Sequence, residues 1–90
     1  MGHTIKDKQK LLNRVRRLRG QVEAVERALE AEEECSKVLM TLAACRGSLA
    51  GLMAELVEGH IKHHLVHSAD PPERAQAAQD IIDIVRSYLK

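Results

Sequence analysis

Apolar residues recur at Leu11, Val15, Leu18, Val22, Val25 and Leu29, spaced 4-3-4-3-4 along the chain. Val38, Leu42, Cys45, Leu49, Leu52 and Leu56 repeat that spacing. This alternation is the heptad pattern of helices that pack along a seam. Between the two runs, Ala31-Glu32-Glu33-Glu34 reads as a turn. Its acids suit the start of a second helix, where the helix dipole is positive. Pro71 and Pro72 are the only prolines. Pro72 fits the first turn of a third helix, with Asp70 as its cap. That helix is expected to carry Ala78, Ile81, Ile82, Val85 and Leu89 inward. The pattern predicts an all-α chain with helices near residues 5–30, 34–67 and 72–89, without strand signals.

Length turns this pattern into an expectation about assembly. Ninety residues allow a single domain, 1–90. The second helix would be about 50 Å long, and one short third helix cannot cover both seams. Two hairpins packed as an antiparallel four-helix bundle solve the problem, so a dimer is expected. Tyr88 is the only aromatic residue. The core must therefore come from Leu, Val, Ile, Ala and Met, and base stacking on aromatic rings is excluded as a mode of binding.

Charge sharpens the picture. The net charge is +1. Residues 1–20, however, hold seven basic residues against Asp7, a balance of +6, and residues 21–34 hold six Glu against Arg27, a balance of −5. Lys10, Arg14 and Arg17 share one helix face, with Arg16 and Arg19 on the other side of the seam. Such a one-sided cluster suits phosphate oxygens. No helix-turn-helix or zinc-finger spacing accompanies it, so recognition through DNA shape and backbone is the expectation. No unbroken run reaches the roughly 18 apolar residues of a membrane span. The amino-terminal end is charged from Lys6 onward without an apolar core, unlike a signal peptide.

Four of the five histidines, His60, His63, His64 and His67, fall within eight residues. On an ideal helix His60, His64 and His67 share one face, with His63 beside it. Imidazoles at that spacing can ligate one metal ion; a solvated polar helix end is the competing reading. Cys35 and Cys45 lie ten residues apart on one helix, about 15 Å, too far for a disulfide within it. Reduced thiols are expected. Cys45 sits mid-seam as a core residue. Cys35 and His60 are separated by about 37 Å of helix and cannot share a metal within one chain. In an antiparallel dimer, Cys35 instead meets His60 and His64 of the partner subunit.

The motifs Arg14-Val15-Arg16-Arg17-Leu18-Arg19-Gly20-Gln21, Glu34-Cys35, Ala43-Ala44-Cys45-Arg46-Gly47, Gly51-Leu52-Met53-Ala54-Glu55, Gly59-His60 and Ser87-Tyr88-Leu89-Lys90 carry a family likeness. The chain resembles the CsoR/RcnR/FrmR group of bacterial metal- or formaldehyde-responsive repressors across its whole length. The resemblance implies dimers paired into a disc-like homotetramer and an operator bound in the effector-free state. Copper sensors of the group use Cys, His and a second Cys; here Cys35, His60 and His64 occupy those positions. Exchanging a thiolate for an imidazole favours a borderline metal over Cu(I). The opening Gly2 to Lys10 and the segment His64-Leu65-Val66-His67 look most like the nickel/cobalt-responsive RcnR group. That likeness implies the amino terminus (Gly2 once Met1 is removed), His3, Cys35, His60 and His64 as ligands, with His63 and His67 as accessories.

The expectation is a cytoplasmic transcriptional repressor, not an enzyme, that is released from operator DNA on binding Ni(II) or Co(II). Zn(II) and Cu(I) are the other metals considered. Self-association and operator DNA are the only partners implied, with no membrane and no other protein. A formaldehyde-responsive repressor, using Cys35 and the amino-terminal amine, is the alternative; Arg14-Val15-Arg16-Arg17 looks like that group. A metal-storage or delivery bundle is a third, which leaves the basic segment unexplained.

Overall fold

The computed structural model describes residues 7–88. Helix α1 spans Lys8–Glu30, α2 spans Cys35–Ile61, a five-residue π-helical turn runs over Lys62–Val66, and α3 spans Pro71–Tyr88. The three predicted helices are present, and no strand occurs among the described residues. Two compact units divide at residue 53, inside α2.

The first unit, Asp7–Met53, holds α1 and most of α2. Each predicted seam splits into two rows. Leu11, Leu18 and Val25 are half-buried on α1, as are Val38 and Leu52 on α2, while Cys45 is buried. Val15, Val22, Leu29, Leu42 and Leu49 are 44–62% exposed. Both rows repeat every seven residues. One row is covered within the chain and the other is about half exposed, so each of its aliphatic side chains forgoes roughly half of the ~1.5–3 kcal/mol that full burial contributes. Ala28 and Cys45 are the unit's buried apolar residues. A lone chain thus has a thin core, as its length implied.

The α1–α2 connection is a Schellman-type stop. The Glu33 N–H donates to Ala28 O at 3.0 Å, and the Glu32 N–H to Leu29 O at 3.1 Å. These bonds satisfy carbonyls at the helix end and place Glu32 in the left-handed region, φ 53°. Helix α2 then starts from Glu34, whose carbonyl accepts from Lys37 and Val38.

The second unit runs from Ala54 onward. The π-helical turn closes with the His67 N–H donating to Lys62 O at 2.9 Å. This turn packs against α3. Helix α3 begins one residue earlier than expected, with both prolines in its first turn, where missing N–H donors cost nothing. Asp70 caps it through its carbonyl, accepting from Arg74 at 3.0 Å, and the Asp70 N–H donates to Ser68 Oγ. The inward face of α3 differs from expectation. Ala77 is buried, with Ala78, Ile81 and Ile84 half-buried, while Ile82 and Val85 are exposed. The face is centred on the small Ala77, which admits close approach, so the register runs 77, 81, 84. Leu89 lies outside the described residues.

By length and average composition the helical stretch Cys35–Val66 is apolar enough to cross a bilayer. It is not an unbroken apolar run, because Lys37, Arg46, Glu55, Glu58 and Lys62 interrupt it. Its apolar residues follow a heptad, the spacing of a protein-packing seam.

Left-handed backbone costs a residue with a Cβ roughly 1–2 kcal/mol, offset in part by the greater chain entropy of glycine. Glu32→Gly should therefore stabilise the fold by about 0.5–1 kcal/mol. Urea denaturation at fixed protein concentration checks this; a lower midpoint would contradict the assignment.

Candidate functional site

The end of α2 and the π-helical turn bring two of the predicted histidines together. The His60 and His64 ring centroids are 4.9 Å apart, tilted by 49°. Both side chains are mostly buried, 24% and 22% exposed. The π-helical turn breaks the ideal helical register beyond Ile61, and His63 and His67 fall in exposed positions. Gly2 and His3 lie outside the described residues.

Helix α3 holds each ring through a carboxylate. His60 Nε2 lies 3.1 Å from Asp80 Oδ2, and His64 Nδ1 lies 2.9 Å from Glu73 Oε1. The carboxylates are fixed in turn. Gln76 Nε2 donates to Asp80 Oδ1 at 2.9 Å, and the Ser68 hydroxyl donates to Glu73 Oε2 at 3.1 Å. Glu73, Gln76 and Asp80 share one stripe of α3 with Ala77 between them, and these four residues with the two histidines line a cleft of about 190 Å³. The hydrogen bond from His64, reinforced by Ser68, holds the Glu73 carboxyl below its ordinary value of 4.5. A carboxylate on one ring nitrogen sets the tautomer and aims the other nitrogen, the usual support of a metal-ligating imidazole.

Sequence reasoning missed Glu73, Gln76 and Asp80. Their signal was present: polar residues at i, i+3 and i+7 on a helix whose other face is apolar.

Cys35 is exposed at the first position of α2, and Cys45 is buried. Both are free thiols. Among the described residues of one chain, no three His, Cys, Asp or Glu side chains converge to hold a metal ion. Two nitrogen donors supported by carboxylates fit a metal, and the described residues of one chain bring no third donor to them.

The basic residues sort themselves on α1. All five predicted contacts, Lys10, Arg14, Arg16, Arg17 and Arg19, are exposed. Lys10, Arg14 and Arg17 line one cleft with Asn13, of about 220 Å³. Arg16 and Arg19 lie outside it, and Arg19 Nε approaches Glu23 at 4.0 Å. Gly51 on α2 accommodates Arg14: a Cβ there would stand 3.1 Å from Arg14 Nη1.

Residues 7–87 match the family model described as metal-sensitive transcriptional repressor. The transcriptional repressor RcnR of Citrobacter koseri is 42% identical over 90 residues, covering all of both chains. Among solved structures, a glutamate-to-histidine variant of the formaldehyde-responsive regulator FrmR from Salmonella enterica serovar Typhimurium is 50% identical. It covers 92% of this chain and 94% of its own, with a TM-score of 0.84. The copper-sensing repressor CsoR with Cu(I) from Geobacillus thermodenitrificans is 21% identical, covers 94% of this chain and 88% of its own, and shares the fold at a TM-score of 0.86.

A depressed carboxyl pKa stabilises the fold above the unfolded value and ceases to do so as pH falls through the folded one. The stability lead of the wild type over Glu73→Gln should thus be present above pH 4.5 and shrink below it. Paired urea titrations across that range check the sign; a lead that grows on acidification would contradict the His64–Glu73 contact.

Proposed function

The chain belongs to the metal-sensitive transcriptional repressor family, not to an enzyme family, and from that we propose a cytoplasmic repressor that leaves its operator on binding Ni(II) or Co(II). The observation that carries this reading is the His60–His64 pair, each ring braced by an α3 carboxylate. Imidazole nitrogens suit nickel and cobalt better than the soft thiolate sets that select Cu(I). Full-length likeness to an RcnR repressor supports the same choice.

In the proposed site, His60 uses Nδ1 and His64 uses Nε2, the ring nitrogens opposite their carboxylates. Cys35 of the partner subunit adds a thiolate, and the amino terminus at Gly2 with His3 completes the set. Bound metal would supply a fixed point to which these side chains are tied. Because His3 stands only five positions before Lys8 in the sequence, holding it there would change how Lys10, Arg14 and Arg17 meet DNA. A change in DNA affinity of about 5- to 150-fold is the usual size of such coupling. Four chains, as a pair of dimers, are the proposed assembly.

One observation favours a second reading. The solved neighbour at 50% identity is a formaldehyde-responsive regulator, and here a methylene bridge between the amino-terminal amine and the Cys35 thiol would be the signal. The His60–His64 pair with its two carboxylates has no role in that bridge, which favours the metal.

Cys35→Ala and His64→Ala should each bind operator DNA as the wild type does and lose release by nickel, read by fluorescence anisotropy. Dissociation of both variants on adding nickel would reject the site. Dissociation by formaldehyde but not by nickel in the wild type would favour the second reading.

A further inference from the structure

The cleft on α1 contains a residue that charge alone does not pick out. Lys10, Asn13, Arg14 and Arg17 lie at i, i+3, i+4 and i+7, one stripe of the helix, and together line the opening. Three are cations. Asn13 is neutral and carries an acceptor oxygen on one side of its planar amide and two N–H donors on the other. The preceding turn settles which side faces the cleft: Gln9 Nε2 donates to Asn13 Oδ1 at 3.0 Å. With its carbonyl occupied by Gln9, Asn13 offers the cleft its Nδ2 donors. Every side chain lining the opening is then a donor, and no carboxylate lines it. On the α2 side, the Arg14 guanidinium lies close to Gly51, 3.1 Å from where a Cβ would stand.

We propose that Asn13 contacts a DNA backbone phosphate, completing a donor-only oxyanion seat with Lys10, Arg14 and Arg17, and that Gln9 is the positioning residue that sets its amide. This rests on the reading of α1 as the DNA-facing helix. A phosphodiester oxygen accepts only, so it matches a seat made of donors. Reading an adenine edge needs both the oxygen and the nitrogen of an asparagine. Gln9 ties that oxygen to the preceding turn of the same helix, which orients the amide for a backbone contact, and a contact to phosphate carries no sequence information.

The test compares affinities of the metal-free full-length protein for its operator and for an unrelated duplex of equal length. Asn13→Ala should weaken both by the same factor, about 3- to 10-fold, the worth of one hydrogen bond. Asn13→Asp, of equal shape but anionic, should weaken both further. Gln9→Ala should weaken both, and Gln9→Ala combined with Asn13→Ala should be no weaker than Asn13→Ala alone, the non-additivity of two residues acting through one contact. Circular dichroism confirms that each exposed substitution leaves the helices intact. A loss confined to the operator would make Asn13 a base reader and overturn the proposal. Additive losses for Gln9 and Asn13 would overturn the positioning role. Arg17→Ala separates the two levels. If it weakens DNA binding while Asn13→Ala does not, the seat is wrong and the DNA-facing helix stands; if neither weakens it, both fall.

Discussion

A single chain of this protein cannot bury its own apolar seam. Two long helices carry apolar residues at heptad spacing, yet only one row of each seam is covered within the chain. Val15, Val22, Leu29, Leu42 and Leu49 stay exposed. The hydrophobic effect therefore asks for a second copy before any question of function arises. The ligand chemistry meets the same limit. Cys35 opens α2 while His60 sits near its other end, and no three potential ligands meet among the described residues. One constraint, a helix too long for its own chain, accounts for both the thin core and the incomplete donor set.

Where the chain does build something complete, it does so with second partners. Asp80 and Glu73 bind the two rings, and Gln76 and Ser68 bind the two carboxylates. The cleft on α1 follows the same logic at smaller scale, with Gln9 behind Asn13 and Gly51 beneath Arg14. In both places a neutral or acidic neighbour decides which atom of a functional side chain faces outward. In the proposed reading, effector and DNA contacts would both be tuned by neighbours behind the contacting side chains.

The 4-3 spacing revealed the first two helices, the acidic stretch at 31–34 marked the break between them, and the paired prolines marked the start of the third. Cys45 as a core residue was legible from its place in the seam. The inward face of α3 was misjudged because several apolar residues at 78–85 offer competing stripes, and only packing on the small Ala77 selects one. The π-helical turn left no trace in the hydropathy pattern, since it inserts a register change without a change of composition. His60 and His64 were visible as a pair, whereas Glu73 and Asp80 depend on how α3 meets the end of α2, a tertiary fact. Cys35 lies three residues before Val38 and so on the line of the seam, yet it is exposed; at the first turn of a helix, spacing alone does not decide burial.

The central claim is that the effector site is shared between chains, and subunit mixing tests it directly. Cys35→Ala and His64→Ala proteins, each unable to bind nickel alone, are unfolded, mixed in equal amounts and refolded. A shared site predicts that mixed dimers regain one intact site each, so random pairing restores about a quarter of the wild-type nickel capacity. A site built within one chain would restore none, and that result would contradict the account.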